Sequence, residues 1–190
     1  MSKVYIQDKT FEKLDFTENY LQNGEYENCI FTNCNFANGD LSSINFADCS
    51  FKSCNLSSVK IVKTAFREVS FIGCKMLGLH FDNCNTFLFS VDFKDCTLNL
   101  SSFYKLSLKK RKFKDCSLQE VDFVEADLSE VQFDNCDLNA AIFERSNLEK
   151  TDFRTSYNYI LDPEINRIKK AKFSVAGLAG LLQKYQISIS

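Results

Sequence analysis

The sequence predicts an all-β solenoid, a chain wound into stacked coils of four short sides. Three observations predict it. Phenylalanine recurs every twentieth residue at Phe11, Phe31, Phe51 and Phe71, then, after one step of twenty-two, at Phe93, Phe113, Phe133 and Phe153. Three further apolar ladders run between these rungs at five-residue spacing. They are Phe16, Phe36, Leu56, Met76, Leu98, Leu118, Leu138; Leu21, Leu41, Ile61, Phe81, Phe103, Phe123, Phe143; and Tyr26, Phe46, Phe66, Leu88, Leu108, Leu128, Leu148. Finally, small or compact residues lie two before each apolar centre, among them Cys34, Gly39, Ile44, Cys49, Val59, Thr64, Ala126 and Val131.

A period of five matches neither the helix period of 3.6 nor the strand alternation of 2. Internal repetition decides the fold before any local propensity does. Coils of four sides stack identical positions above one another at the ~4.8 Å spacing of paired strands. Each side turns one large side chain inward, the compact residue fills the corner, and the Asp, Asn, Ser, Lys, Glu and Gln between them face water.

Taken in order, residues 1–10 supply a first strand through Val4, Tyr5 and Ile6 that covers the N-terminal end, since an open coil end is a sheet edge. The repeat region spans 11–157, with a two-residue register jog at 82–87. Phe87 and Phe89 flank the inward Leu88 and face out as a contact surface; in the other arrangement the jog turns one of them inward. Arg111 falls on a compact inward position, where an unpaired charge is not tolerated. Its corner must open to let the guanidinium reach Asp92, Asp115 or Asp134. The cluster Lys109, Lys110, Arg111, Lys112 and Lys114 has no interleaved aromatics, so it reads as a solvated patch before it reads as a nucleic-acid site. Beyond Phe153 the pattern lapses around Pro163 and returns at Ile168, Phe173 and Leu178. Residues 158–190 then hold a last partial coil, a short helix over 178–185, and a strand over 186–190 with Ile187 and Ile189 on one face.

The nine cysteines all occupy the inward corner position, six of them as the ladder Cys34, Cys54, Cys74, Cys96, Cys116, Cys136. There a thiol acts as a compact hydrophobe. No Cys-x₂-Cys pair supports zinc, and free thiols in such number imply a reducing compartment. With no apolar run long enough for a leader or a span, the expectation is a cytoplasmic chain. The formal charge of −2 hides an uneven pattern: 1–60 and 111–160 are net acidic, 61–110 and 161–190 net basic.

The unit of small residue, Asp/Asn-like residue, Leu or Phe and two polar residues resembles the pentapeptide-repeat family. It is carried by Cys49-Ser50-Phe51-Lys52-Ser53, Ala126-Asp127-Leu128-Ser129-Glu130 and Cys136-Asp137-Leu138-Asn139-Ala140, within a match over 9–155. The resemblance implies a right-handed quadrilateral β-helix. The mid-chain jog and Leu-rich tail are most similar to the Qnr, MfpA and McbG quinolone-resistance group. For that group the implied partner is DNA gyrase or topoisomerase IV, bound by imitation of duplex DNA, giving quinolone or toxin protection. The tail is similar to the helix and strand that dimerise those proteins, which implies a homodimer through Leu178, Leu181, Leu182, Tyr185 and Ile187.

No catalytic constellation is present. His80, the single histidine, sits on an outward position, and no glycine-rich phosphate loop occurs among the six glycines. Function therefore belongs to the outer surface, with no catalytic residue, cofactor, metal, small-molecule substrate or membrane expected. The densest carboxylates are Asp115, Glu120, Asp122, Glu125, Asp127, Glu130, Asp134 and Asp137, the expected partner-binding surface. Bases are mixed among them and the long loops of many Qnr proteins are missing. An interaction scaffold for another protein partner is therefore the alternative.

Overall fold

Five residues make one side of the coil. In the computed structural model, which describes residues 4–188, the centre of each unit is buried and its two neighbours face out. The strands are β1 (Val4–Gln7), β2 (Thr10–Glu12), β3 (Gly24–Glu27), β4 (Ile30–Thr32), β5 (Asn45–Ala47), β6 (Ser50–Lys52), β7 (Ala65–Arg67), β8 (Val69–Ile72), β9 (Val91–Lys94), β10 (Lys112–Lys114) and β11 (Gln132–Asp134). The first side of the coil is a seven-stranded parallel sheet, β11-β10-β9-β8-β6-β4-β2, and the fourth side a four-stranded one, β1-β3-β5-β7. Register is one coil per step, with Phe11 opposite Phe31, Phe31 opposite Phe51 and Phe51 opposite Phe71. The second and third sides are joined by single parallel bridges, such as Asn35 to Asn55 and Ser102 to Asp122. The result is a parallel, four-sided β-solenoid.

The corners explain the polar residue two after each centre. Left-handed φ recurs there, as at Asn38 (57°), Ser58 (55°), Glu120 (55°) and Lys150 (60°). Asn and Asp tolerate this region best and β-branched residues worst. No Val, Ile or Thr holds such a position among the described residues. Several corners close as hydrogen-bonded turns, with Gly39 N–H donating to Phe36 O at 2.9 Å and Val131 N–H to Leu128 O at 3.0 Å. Between corners the backbone bonds from coil to coil, so Asn28 N–H donates to Ala47 O at 3.0 Å and Ile30 N–H to Lys9 O at 2.9 Å.

The interior is a set of aromatic stacks. From Phe11 to Phe173 the rings of the first side are parallel, with centroids 4.7 to 5.4 Å apart at every step. Phe81, Phe103, Phe123 and Phe143 stack likewise on the third side. Rings on adjoining sides meet edge to face, as Phe103 and Phe113 do at 5.9 Å and 88°, the favoured alternative to stacking. Phe173 and Ile168 extend the core past the lapse at Pro163, whereas Leu178 is on the helix and 44% exposed.

The inward corner residues do more than fill space. Cys54 Sγ donates to Phe31 O at 3.4 Å, Cys74 Sγ to Phe51 O at 3.3 Å and Cys136 Sγ to Phe113 O at 3.4 Å. Where the residue is Ser, Thr or Asn the same bond shortens. Thr64 donates to Leu41 O, Thr151 to Leu128 O and Ser156 to Phe133 O, each at 2.8 Å, and Asn166 to Phe143 O at 2.6 Å. The compact-hydrophobe reading of the cysteines is thus incomplete: the position asks for a small donor that caps a carbonyl one coil back. Burial pushes the Cys49 thiol up to about 12 and raises Cys34 and Cys84 as well, so these sulfurs stay protonated donors.

The jog departs from expectation. Asn85 still pairs with Ala65 at the twenty-residue step, while Val91 pairs with Val69 at twenty-two, so the extra residues lie between them. Leu88 takes a left-handed φ of 57° and is 64% exposed; it is not the inward rung. Phe89 turns in instead, edge-on to Phe66 at 6.5 Å and Phe81 at 6.1 Å. The ring fills the gap more completely than leucine can, which is why the register shifts by one. Phe87 stays outside, beside the Arg67 guanidinium at 5.9 Å. At the next irregularity, Arg111 reaches not Asp115 or Asp134 but the coil before, donating to Ser90 Oγ at 2.6 Å and pairing with Glu68 at 3.5 Å and Asp92 at 3.9 Å. The jog itself places Ser90 and Glu68 within its reach.

The tail folds back on the last coil. A helical segment runs from Ala176 to Tyr185 through the short helix α1 (Ala179–Leu182). Gly177 and Gly180 let it lie against Tyr159, since a Cβ on either would meet that residue's hydroxyl or carbonyl directly. Lys184 donates to Asp162 and pairs with Glu164, both at 2.7 Å, and Tyr185 OH donates to Glu164 at 2.8 Å. The expected strand over 186–190 is absent over 186–188, because Gln186 ends the helix at a left-handed φ of 50° and no strand lies alongside. Ile189 is outside the described residues.

Two outcomes follow from this packing. Thr151→Val removes the hydroxyl that takes the second lone pair of Leu128 O, and it should lower unfolding stability by about 1 kcal/mol in urea titrations. An unchanged midpoint would show the corner needs only volume. The tail should loosen in acid. The Lys184 ammonium holds the Asp162 and Glu164 carboxyls below their ordinary range, so its clamp is complete above that range and is lost as pH falls through it. Hydrogen-exchange protection over 176–186, taken relative to the intrinsic amide rate at each pH, should fall at low pH, and Gly180→Ala should give the same loss of protection at neutral pH.

Candidate functional site

With the interior packed by rings, only the outer surface can meet a partner. Coil winding puts neighbouring sequence positions on different sides, so the eight expected carboxylates do not form one patch. Asp115, Glu120, Glu125 and Glu130 take four successive corners; Asp122, Asp127, Asp134 and Asp137 lie on the third, fourth, first and second sides. They make a belt around one coil.

Most of the belt is engaged locally. Glu125 pairs with Arg145 at 3.3 Å and Lys105 at 3.5 Å, and Glu130 with Lys150 at 3.6 Å. Asp115 accepts from Asn135 Nδ2 at 2.8 Å, Asp127 from Asn147 Nδ2 at 2.8 Å and Asp134 from Thr155 Oγ1 at 3.1 Å. Asp137 is held below the ordinary carboxylate range; partial burial opposes this, and the amides of Gln119 and Asn158 outweigh it. Asp122 accepts only the Val124 N–H, at 2.8 Å, and Glu120 has no side-chain partner among the described residues.

These last two belong to a face the sequence reading did not single out. On the third side, from the jog onward, Asp82, Glu120 and Asp122 line a shallow groove that includes Leu100, Tyr104 and Ile142, and Glu144 lies on the same side outside it. Leu100 is 58% and Ile142 45% exposed. The face holds His80, exposed and 3.4 Å from Asp82; Lys60 lies one coil back on the same side, and Lys105 and Arg145 at the following corner are paired with Glu125. The signal was present as the i±1 positions of the ladder Phe81, Phe103, Phe123, Phe143, and it needed side-by-side sorting to appear. No group of three or more His, Cys, Asp or Glu that could hold a metal ion occurs among the described residues. No helix among them is long and apolar enough to cross a membrane.

The jog and tail sites divide. Phe87 is 66% exposed, whereas Phe89 packs against the core. In the tail, Leu181 packs on this chain's own core and Tyr185 is bonded to Glu164, while Leu178 and Ile187 are exposed and Leu182 partly so.

Among solved structures, a trypsin-treated variant of QnrB1, a plasmid-mediated fluoroquinolone resistance protein, is 21% identical to this chain with a TM-score of 0.50. The match covers 97% of this chain and 99% of that one. HetL, a pentapeptide repeat protein involved in heterocyst differentiation regulation from the cyanobacterium Nostoc sp. strain PCC 7120, is 12% identical with a TM-score of 0.54, over 90% of this chain and 87% of its own. At such identities the likeness is one of fold. No curated protein matches the sequence. The family model for the pentapeptide repeat region matches residues 24–87 and 86–157, which are the stacked coils on both sides of the jog. The repeat that stacks these rings is the family's own, and the chain belongs to the pentapeptide-repeat family.

Proposed function

We propose that this chain is a non-enzymatic, protein-binding rod that engages a type II topoisomerase, DNA gyrase or topoisomerase IV, and so protects it from quinolones or toxins. The observation that carries this reading is the third side. Glu120 and Asp122 line its groove and Glu144 lies on the same side, none of them with an ion-pair partner among the described residues, on a surface a basic DNA-binding groove would accept. The rod is about 38 Å long at the strand spacing, enough to lie along such a groove. QnrB1, a fluoroquinolone resistance protein, shares the fold over 99% of its chain. A homodimer through the tail completes the proposal, with Leu178 and Ile187 as its free apolar residues.

A specific observation favours the alternative, a scaffold for another protein partner. Along the corners, charge alternates from coil to coil, Lys105–Glu125–Arg145 and Lys110–Glu130–Lys150, which cancels acidity where a phosphate-like array would be most regular. HetL, involved in heterocyst differentiation regulation, has the same fold, so the fold is not tied to drug resistance.

Supercoiling by gyrase, titrated with this protein with and without ciprofloxacin, decides between the two readings. The expected result is restored supercoiling under drug, weakened at least tenfold by Glu120→Lys with Glu144→Lys, both exposed and unpaired. No effect of the wild-type chain on its host's gyrase or topoisomerase IV would leave the scaffold. Sedimentation should show a dimer that Leu178→Asp with Ile187→Asp converts to monomer.

A further inference from the structure

The fourth side carries a segregated charge pattern that the acidic reading does not use. In its first two coils the outward groups are Glu25, Glu27 and Asp48; in the coil below the cluster they are Asp127, Glu130 and the adjoining Glu125. Between these acidic zones lie Lys63, Arg67, Lys105, Lys109, Lys110 and Arg111, with Glu68 and, on the adjoining first side, Asp92 the acids among them. Arg111 is committed to Glu68 and Asp92, and Lys105 to Glu125. Lys63, Lys109 and Lys110 have no ion-pair partner among the described residues and are exposed.

The jog stands in the middle of this cationic zone. Phe87 and Leu88 are 66% and 64% exposed, side by side on a surface otherwise made of polar side chains. Next to them opens a groove of about 450 Å³ lined by Leu88, Phe89, Leu106, Lys105, Lys109 and Arg111, with Thr86, Ser90 and Ser107. An exposed apolar pair beside a groove of mixed apolar and cationic lining is complementary to one kind of partner. That partner must bring an apolar side chain and carboxylates together.

We propose that the jog is a docking site for an acidic, apolar peptide segment of another protein, which places an apolar residue against Phe87 and Leu88 and its carboxylates on Lys63, Lys109 and Lys110. A nucleic acid fits less well. The cationic zone is only about three coils deep, roughly 15 Å at strand spacing. A strand running on along the side would meet Asp127 and Glu130 in one direction and Asp48 and Glu25 in the other. Phe87 is the one exposed aromatic plane at the jog, enough for a single base and not for the successive stacking of a strand. The site has the opposite charge to the third side and stands apart from the topoisomerase reading.

The test is fluorescence anisotropy of the whole chain against labelled probes: a short peptide alternating glutamate with leucine and phenylalanine, a glutamate–serine peptide of equal charge, and a single-stranded oligonucleotide of similar length. Binding of the first is expected to exceed the other two at least tenfold and to weaken with salt. Phe87→Ser with Leu88→Gly, and separately Lys109→Glu with Lys110→Glu, should each weaken it at least tenfold without changing the circular dichroism. Glu120→Lys with Glu144→Lys should leave it unchanged, which separates this site from the acidic face. No binding of the acidic apolar peptide, equal binding of the glutamate–serine peptide, or tighter binding of the oligonucleotide would each overturn the proposal. So would self-association that is lost in the Phe87 and Leu88 variant, which would make the occupant a second copy.

Discussion

Every residue of this fold sits directly over its counterpart one coil away, and that single translation governs the rest. Inside, it forces like onto like: a phenylalanine must lie flat on a phenylalanine, and from Phe11 to Phe173 it does. Outside, the same rule is a hazard, because equal charges about 4.8 Å apart repel. Two corners meet it by alternating sign, Lys105–Glu125–Arg145 and Lys110–Glu130–Lys150, while Asp95 and Asp115 stack as like charges at another, Asp115 taking the Asn135 amide. The second side meets it with neutral amides that bridge from coil to coil, Asn35 donating to Asp15 at 3.4 Å and pairing through the backbone with Asn55. An acidic face on such a rod has to be built against the stacking rule. That is why the uncompensated carboxylates of the third side, separated by Ser102 and Tyr104, carry more meaning than the larger number of acids in the belt.

Translation also explains which parts of the molecule were legible in the sequence. A ladder of identical residues encodes its own register, so coil number, inward positions and the compact corner could be read from spacing alone. What spacing does not encode is chemistry internal to a position. Cysteine, serine, threonine and asparagine at the inward corner look unrelated as volumes and are equivalent as donors, which only the bonds to Phe31 O, Leu128 O and Phe143 O reveal. The surface suffered the opposite distortion. Eight acids close together in sequence look like a patch, but winding places consecutive units a quarter-turn apart and scatters them around the rod.

Where translation fails, local energetics decide, and there the sequence is least informative. At the jog three apolar residues, Phe87, Leu88 and Phe89, compete for one inward place. Leucine keeps the five-residue count, but a left-handed Leu88 brings Phe89 inward, and its ring makes edge contacts with Phe66 and Phe81. The larger buried area outweighs the cost of one left-handed leucine, since an aromatic ring buries more surface than it. At Pro163 the chain leaves the coil altogether and returns only for Ile168 and Phe173. Its tail is then held by glycine contacts on Tyr159 and a lysine clamp that no periodicity could announce.

These two breaks also present free apolar surface, beyond the single side chains such as Leu100 and Ile142 on the regular coils. A regular coil that repeated a large exposed apolar side chain at every step would invite other chains to pair along it, and Leu100 and Ile142 accordingly stand singly, between Gly78 and Glu120 and above Asp122. Irregular positions have no counterpart above or below, so an exposed Phe87 or Leu178 remains a single, bounded feature. A solenoid with a packed interior can therefore acquire specificity at its interruptions without endangering its solubility. The charge around each interruption then selects the partner: lysines flank the jog, and the tail is clamped by Lys184 between two carboxylates. On this argument recognition in the molecule is carried by the few residues that depart from the repeat, and the repeat serves to hold them at fixed separations along a stiff axis.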